Sequence, residues 1–455
     1  MPDPFPFPWR ALPRAAMLVA LLMVAPSGAR AQAPAAGRLS LGEVVQMAAS
    51  RNAAVDAARA RTAQAQARVR QRRADLFPSL SAAAVQAGRT FNTATLGFAF
   101  RGSDGVPLFN PDGQVEGPVL TTDLRAHASQ ALFDAGAMAR VSAARAAASA
   151  TETEAAAAAE QAAGAAAIAY VRLLRADAQV AARQADSALA GELLVIAQEQ
   201  LRAGVGVALD VTRARAQAAQ VRAQLIAARA DRAHAALELA RLLALPADAP
   251  VAAADSLGAL AIAADDSAGN LQQALARRPE LRSLDAQLHS VQQQERAVRR
   301  ERLPTLSAFG DNGPIAGEGG SYLRTYNWGV QLSLPLFDGF RREGRLEEQA
   351  AVHRELEVRR HDLAQQVALE VRGANEDLAF AREQLDAARE RVALAEQELA
   401  QARDRFRAGV AGNADAVTAS LALNAARTLL IDATAAWHGA RIALARALGE
   451  ARTLH

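Results

Sequence analysis

Two carboxylates stand where the chain has the means to do chemistry. Asp210 closes the stretch RAGVGVALD (Arg202 to Asp210), and Asp415 closes RAGVAGNAD (Arg407 to Asp415). Each follows a glycine-bearing turn, at a place where a helix N-cap would accept backbone N–H groups. Gly204, Gly206, Gly409 and Gly412 permit tight turns and close approach of another backbone, and Val205 and Val410 sit at the turns with them. Other reactive constellations are missing. The sequence contains no phosphate-binding glycine loop, no HExxH and no nucleophile motif. The 7 histidines are scattered, and His353 and His361 are eight apart, too far for one metal site. With 0 cysteines there are no disulfides and no thiolate ligands. The sequence therefore predicts no enzyme, no cofactor and no metal centre.

Two acidic turns need long elements to hold them, and the composition supplies these. Of the 455 residues 51% are hydrophobic, much of that alanine, and only 4% are aromatic. Alanine is the best helix former and lets helices pack closely, so thin helical layers are expected rather than a thick core. The formal net charge is +3, with no aromatic-basic pattern of a nucleic-acid binder, so no nucleic-acid partner is expected. Arg10 and Arg14 precede the apolar run Ala15–Ala25, Pro26 and the tripeptide Ala29–Arg30–Ala31. That order is a secretory signal over residues 1–31, with a mature chain from Gln32. No later stretch reaches 18 apolar residues without a charge, so the exported protein either is soluble or crosses a membrane as strands.

The chain repeats itself. SQALFDAGAMARVSAAR (Ser129–Arg145) is echoed by SLPLFDGFRREGRLEEQ (Ser333–Gln349), and both turns described above belong to the same repeat. The separation Phe337 − Phe133 is 204 and Gly409 − Gly204 is 205, so the register holds along a whole helix, whereas Pro304 − Pro78 is 226. Each half reads as helix, strand, loop, strand, long helix, turn, helix. In the second half Val371, Leu378, Leu385, Val392, Leu399 and Phe406 recur every seventh residue, with alanine three places after each of the first five. This is a coiled-coil seam with small d residues. The first half repeats it, interrupted at Arg183 and Ser187. Long helices are expected over Ala137–Leu201 and Arg341–Arg405, each ~98 Å, and shorter ones over Ser40–Leu76 and Asp210–Leu245.

The strands alternate. Trp328, Val330, Leu332, Leu334 and Leu336 point one way, opposed by Asn327, Gly329, Gln331 and Ser333. Leu124, Ala126, Ala128 and Leu132 oppose Asp123, Arg125, His127 and Ser129. About ten residues per strand suffices to cross a bilayer at a tilt. Exterior loops are expected at roughly Arg89–Thr121 and Asp311–Thr325. Four strands cannot close a barrel, so in lipid several chains must share one; two chains give eight strands and three give twelve. At the helix–strand junctions Pro78 and Pro304 stop helices, Phe133 and Phe337 end strands, and Gly136 and Gly339 permit the return. Arginines gather there: Arg68, Arg70, Arg72 and Arg73; Arg299, Arg300 and Arg302; Arg341, Arg342 and Arg345. Where helix becomes strand they would reach phospholipid head groups if the strands cross a bilayer, and are otherwise solvated helix charge. The expected organisation is a first repeat over 32–245, with strand pair 79–133 and tip turn 202–210. A linker over 246–270 and a second repeat over 271–449 follow, with strand pair 305–337, tip turn 407–415 and a tail over 450–455. A soluble amphipathic hairpin fits the strand pattern as well, and the rival reading of the whole chain is a soluble periplasmic coiled-coil adaptor or scaffold without barrel strands.

From Leu39 to Gly449 the order of these marks resembles the TolC-like outer membrane efflux proteins: the early helix, ADLFPSLSA and RERLPTLSA, both Leu-Phe-Asp returns and both RAGV turns. The resemblance implies a mainly α fold with a small β part. Three protomers would each give four strands to a 12-stranded transmembrane barrel and their helices to a periplasmic tunnel. It implies a passive, tip-gated exit duct for efflux or type I secretion. The linker would lie at the tunnel's equator. A membrane-fusion adaptor would meet the tips at Arg202, Gly204, Val205, Gly206, Arg407, Gly409, Val410 and Gly412, joining an inner membrane pump of RND or ABC type. It implies a pore constriction at Asp415, with Asp210 in the matching turn. The family's second acidic position falls on Thr418, and the side chain that pins the closed tip would fall near Ala411.

Overall fold

The computed structural model describes residues 37–96, 102–105, 112–260, 262, 271–408, 410 and 412–455. The expected signal segment, Gly409, Ala411 and most of the end of the linker lie outside the described residues. In chain order the elements are β1 (Arg38–Leu39), α1 (Leu41–Arg51), α2 (Ala53–Ala74), β2 (Ser79–Asn92), β3 (Val115–Phe133), α3 (Ala135–Arg202), α4 (Ala208–Leu242), β4 (Ala252–Ala253), α5 (Leu271–Arg277), α6 (Pro279–Arg300), β5 (Thr305–Gly317), β6 (Leu323–Ser333), α7 (Arg341–Arg407) and α8 (Asn413–Leu448).

The long helices α3 and α7 run 68 and 67 residues, each ~100 Å. Along its first half α3 packs between α2 and α6, and along its second between α4 and α8. The seven-residue seam of α7 is buried at Val371, Ala374, Ala381, Leu385, Ala388, Ala395, Leu399 and Phe406. It meets Ala419, Leu423 and Ala426 of α8. In α3 beyond Arg183 Ala190 and Ala197 are buried together with Leu193, whereas Leu194 is half-buried and Leu201 exposed.

The early helix is two helices, not one. Asn52 breaks it, with ψ 138° taking its backbone out of the helix. Its side-chain oxygen accepts from Ala54 N at 2.9 Å, and its amide donates to Leu242 O at 2.8 Å. The break lets α1 turn into the largest apolar cluster, where Leu41, Val44 and Val45 pack with Tyr170, Leu173, Leu174, Leu239 and Leu243. The described part of the linker joins this cluster. There β4 pairs in parallel with β1, and Leu257, Leu260 and Ile262 are buried.

The four long strands form one antiparallel sheet in the order β2-β3-β5-β6, so β2 and β6 carry the open edges. The strands are longer at their far ends than the alternation suggested. β3 starts at Val115 because a bulge takes Gly117 (φ 104°) and Pro118 out of the ladder, pairing Phe91 with Glu116 and Arg89 with Val119. The second hairpin is tighter than expected, with β5 reaching Gly317 and β6 starting at Leu323. β6 ends at Ser333, short of Phe337, since Pro335 has no N–H to give to a ladder.

Candidate functional site

At the end of the α3–α4 pair, Gly204 takes the left-handed conformation (φ 76°), and the N–H groups of Val205 and Gly206 donate to Gln200 O at 3.1 and 3.0 Å. Gly206 is needed for closeness: a Cβ there would lie 2.9 Å from Leu201 N. Asp210 and Asp415 are not N-caps. Val207 and Gly412 occupy those positions, and each aspartate is the third residue of its helix. There the carboxylates still meet the positive end of the helix dipole without binding the terminal N–H groups. Asp210 is part-covered, 3.9 Å from Arg213, whereas Asp415 and Thr418 are exposed. Val205 and Val410 are 76% and 73% exposed, an apolar tip on each hairpin, with Arg202 exposed beside the first.

The two hairpins are tied to each other close to these tips. Phe406 and Ala416 pack with Leu193, Ala197, Val211 and Ala214. Asn413, fully buried, donates to Asp210 O at 2.9 Å, and Gln200 donates to Phe406 O at 2.7 Å. Glu192 accepts from both Arg403, at 2.6 Å, and Arg407. Further along, Asp186 is buried beneath Arg183 at 3.0 Å and Arg427 at 3.3 Å. The Asn424 amide, turned so that its nitrogen faces the carboxylate, donates to it at 3.2 Å. Burial pushes the Asp186 carboxyl above the usual range, and the two arginines pull it back down. Asp432 accepts from Arg175 at 2.7 Å. Asp186, Glu192 and Asn413 carry no motif; the heptad interrupted at Arg183 and Ser187 marks Asp186 alone.

The junction residues are placed as follows. Pro78 and Pro304 lie between a helix and the next strand. Phe133 is the last residue of β3, and Phe337 lies past β6. Gly339 (φ 70°) makes the return to α7, followed by Phe340, also left-handed at φ 63°. Gly136 does not make a turn: it lies in the first turn of α3, where Asp134 caps the helix by accepting from Ala137 N at 2.7 Å. A Cβ at Gly136 would press on Asp134 Oδ1 at 3.1 Å, so the glycine leaves room for the cap. Arg68, Arg72, Arg140 and Arg345 line one pocket of about 460 Å³ over alanines of α3. Glu301 lies 2.7 Å from Arg345 and 3.7 Å from Arg140.

The sheet has two unlike faces. On one, Leu80, Leu124, Tyr326, Trp328, Val330 and Leu332 are exposed. On the other stand Ser81, Asp123, Arg125, His127, Ser129, Asp311, Thr325, Asn327 and Gln331. Among the described residues no helix is long and apolar enough to cross a membrane.

Residues 44–245 and 270–450 match the family described as outer membrane efflux protein. The chain belongs to that family. No curated protein matches it by sequence. Solved structures similar to it include a membrane protein from Pseudomonas aeruginosa, 22% identical with a TM-score of 0.73, covering 90% of this chain and 92% of that one. The open state of the Neisseria gonorrhoeae MtrE outer membrane channel is 20% identical with a TM-score of 0.71, covering 90% and 88%. The Campylobacter jejuni CmeC outer membrane channel is 18% identical with a TM-score of 0.70, covering 90% and 86%. Its family places the chain in the outer membrane, and the solved structures similar to it are outer membrane channels rather than enzymes. Its mainly helical fold with a small β part is that of these solved structures.

Proposed function

We propose that this outer membrane efflux protein is the passive exit duct of a tripartite efflux or secretion machine. Three copies join β6 of one to β2 of the next, closing a 12-stranded barrel above a helical tunnel. The observation that carries this reading is the four-stranded sheet, with exposed Leu80, Leu124, Tyr326, Trp328, Val330 and Leu332 on one face, a largely polar opposite face, and both edges open. In lipid every edge must be paired, and one sheet cannot pair its own. No energy-harnessing motif is present in the sequence, so the driving force comes from an inner membrane pump through a periplasmic adaptor. The exposed Val205 and Val410 are the surface that the adaptor's helical hairpin meets.

The same reading puts the gate at the periplasmic tips. Asp415 faces the opening from three subunits and, with Asp210, favours cations there. Thr418 adds no charge. The tip is held shut by ties between hairpins, chiefly Glu192 with Arg403 and Arg407 and Asn413 with Asp210, since Ala411 has no side chain for an ion pair. Planar-bilayer recording tests the whole. A detergent-extracted, heat-modifiable trimer with small closed-state conductance is expected, and Asp415→Ala should keep the pore while lowering its cation preference. A water-soluble monomer without conductance overturns the reading.

A further inference from the structure

The polar face of the sheet carries more than solvating groups. Pairing across the four strands sets Ser81, His127, Asp311 and Asn327 in one row, Ser81 opposite His127, His127 opposite Asp311, and Asp311 opposite Asn327. The next row toward the hairpin ends holds Arg125 and Thr325, and the one beyond it Asp123. Arg125 gathers these rows: its guanidinium donates to Asp311 at 2.6 Å, to Asp123 at 3.2 Å and to Thr325 Oγ1 at 3.0 Å. One row nearer the helices, the ring of Phe309 lies over Gly329, where a Cβ would meet it at 2.9 Å. The ladder between β3 and β5 is interrupted at this level, between Asp123–Ile315 and Ala126–Asn312. Gly313 lets the two backbones lie close: a Cβ there would fall 1.9 Å from Leu124 O.

We infer that Asp123, Arg125 and Asp311 form a second charge-selective collar inside the barrel, distinct from the tip aspartates, and that it favours cationic cargo. The inference rests on the trimeric-barrel reading. In these rows two aspartates and one arginine leave one net negative charge per subunit. Twelve strands about 4.8 Å apart and tilted near 40° enclose a backbone cylinder roughly 24 Å across, so its wall lies ~12 Å from the axis. Side chains reach several ångströms inward, which leaves less than one Debye length (~10 Å at 0.1 M salt) between collar and axis. A net charge of about three held at that distance biases ions at the axis at low and moderate salt. The bias disappears near 1 M salt, where the screening length is ~3 Å. The three groups are mutually paired, so the collar acts by its summed charge rather than by binding any one ion.

The test is reversal potential under a salt gradient in planar bilayers, at pH 8, for the wild type and three variants. Asp311→Asn and Asp123→Asn each bring the collar to zero net charge, and Arg125→Gln doubles its negative charge. The expected order of cation preference is Arg125→Gln above wild type, above both asparagine variants. Steps of roughly threefold in permeability ratio are expected near 0.1 M salt, vanishing at 1 M. The two asparagine variants break different bonds to Arg125 and change charge equally, so agreement between them excludes a fold defect as the cause. If open channels form and all four proteins share one permeability ratio at 0.1 M, the collar is overturned while the duct stands. If the wild type forms no channel, the barrel reading itself falls. Asp415→Ala, measured alongside, should shift selectivity independently of these changes.

Discussion

The carboxylate of Glu192 in α3 stands 2.6 Å from the guanidinium of Arg403 in α7, two residues 211 apart in sequence that join the two helical hairpins. Both side chains keep about a third of their surface in solvent, so the bond is worth no more than ~1 kcal/mol after screening. Glu192 also holds Arg407, and losing its charge releases both. Glu192→Gln should therefore raise the open fraction of the tip by up to about fivefold, read as open probability in single-channel records, with assembly unchanged. An unaltered open probability would show that the tie does not hold the gate.

The hydroxyl of Tyr170 lies 2.7 Å from Asp255 Oδ2 and 2.7 Å from Leu39 O, and Asp255 Oδ2 also accepts from Leu41 N at 3.1 Å. One buried phenol thus fastens the linker and the start of the described chain to α3. Burial, with Asp255 adding to it, pushes the phenol's pKa up. The native state then prefers the protonated form, so the contribution is intact below the ordinary tyrosine value near 10 and is lost as pH rises above it. Tyr170→Phe leaves polar partners short and should cost about 1–3 kcal/mol. Thermal unfolding of the trimer in detergent measures it, and the deficit should shrink above pH 10.

How much of this was readable beforehand divides along a physical line. Periodic features were legible: the α7 seam at Val371, Leu385, Leu399 and Phe406, the alternation around Trp328, and the stops at Pro78 and Pro304. These are set by local geometry and repeat often enough to be counted. Single contacts between distant residues were not legible. Nothing near Tyr170 points to Asp255, and nothing near Asn413 points to Asp210, because each pair is made only when separate helices pack. Local detail also misled where a side chain did more than its type suggests. Asn52 caps a second helix, Gly136 makes room for a cap rather than a turn, and Asp210 and Asp415 sit inside their helices instead of before them.

Asp186 offers a pH signature of opposite sense to a surface carboxylate. Its pKa is raised by burial, so the folded state holds its proton at pH values where the unfolded state has lost it. In the window between the ordinary value near 4 and the raised one, stability from this group grows as pH falls. Asp186→Asn removes that dependence. The thermal midpoint of wild type minus Asp186→Asn should therefore rise between pH 7.5 and pH 4.5. A difference that stays flat would mean that Arg183 and Arg427 keep the carboxylate ionised at no net cost.

The two faces of the sheet give the sharpest test of the membrane reading, because neighbouring residues on one strand must behave oppositely. Arg125 already stands on the polar face, paired to Asp123 and Asp311, while Leu124 beside it is 42% exposed on the apolar face. An arginine facing lipid near the midplane costs about 2–4 kcal/mol per chain, and three chains share one barrel. Leu124→Arg should therefore abolish the heat-modifiable trimer in outer membrane fractions. Asn327→Arg lies on the polar face, at the level of Asp311, and should assemble normally while lowering cation preference. Equal tolerance of both substitutions would mean that the apolar face does not meet lipid.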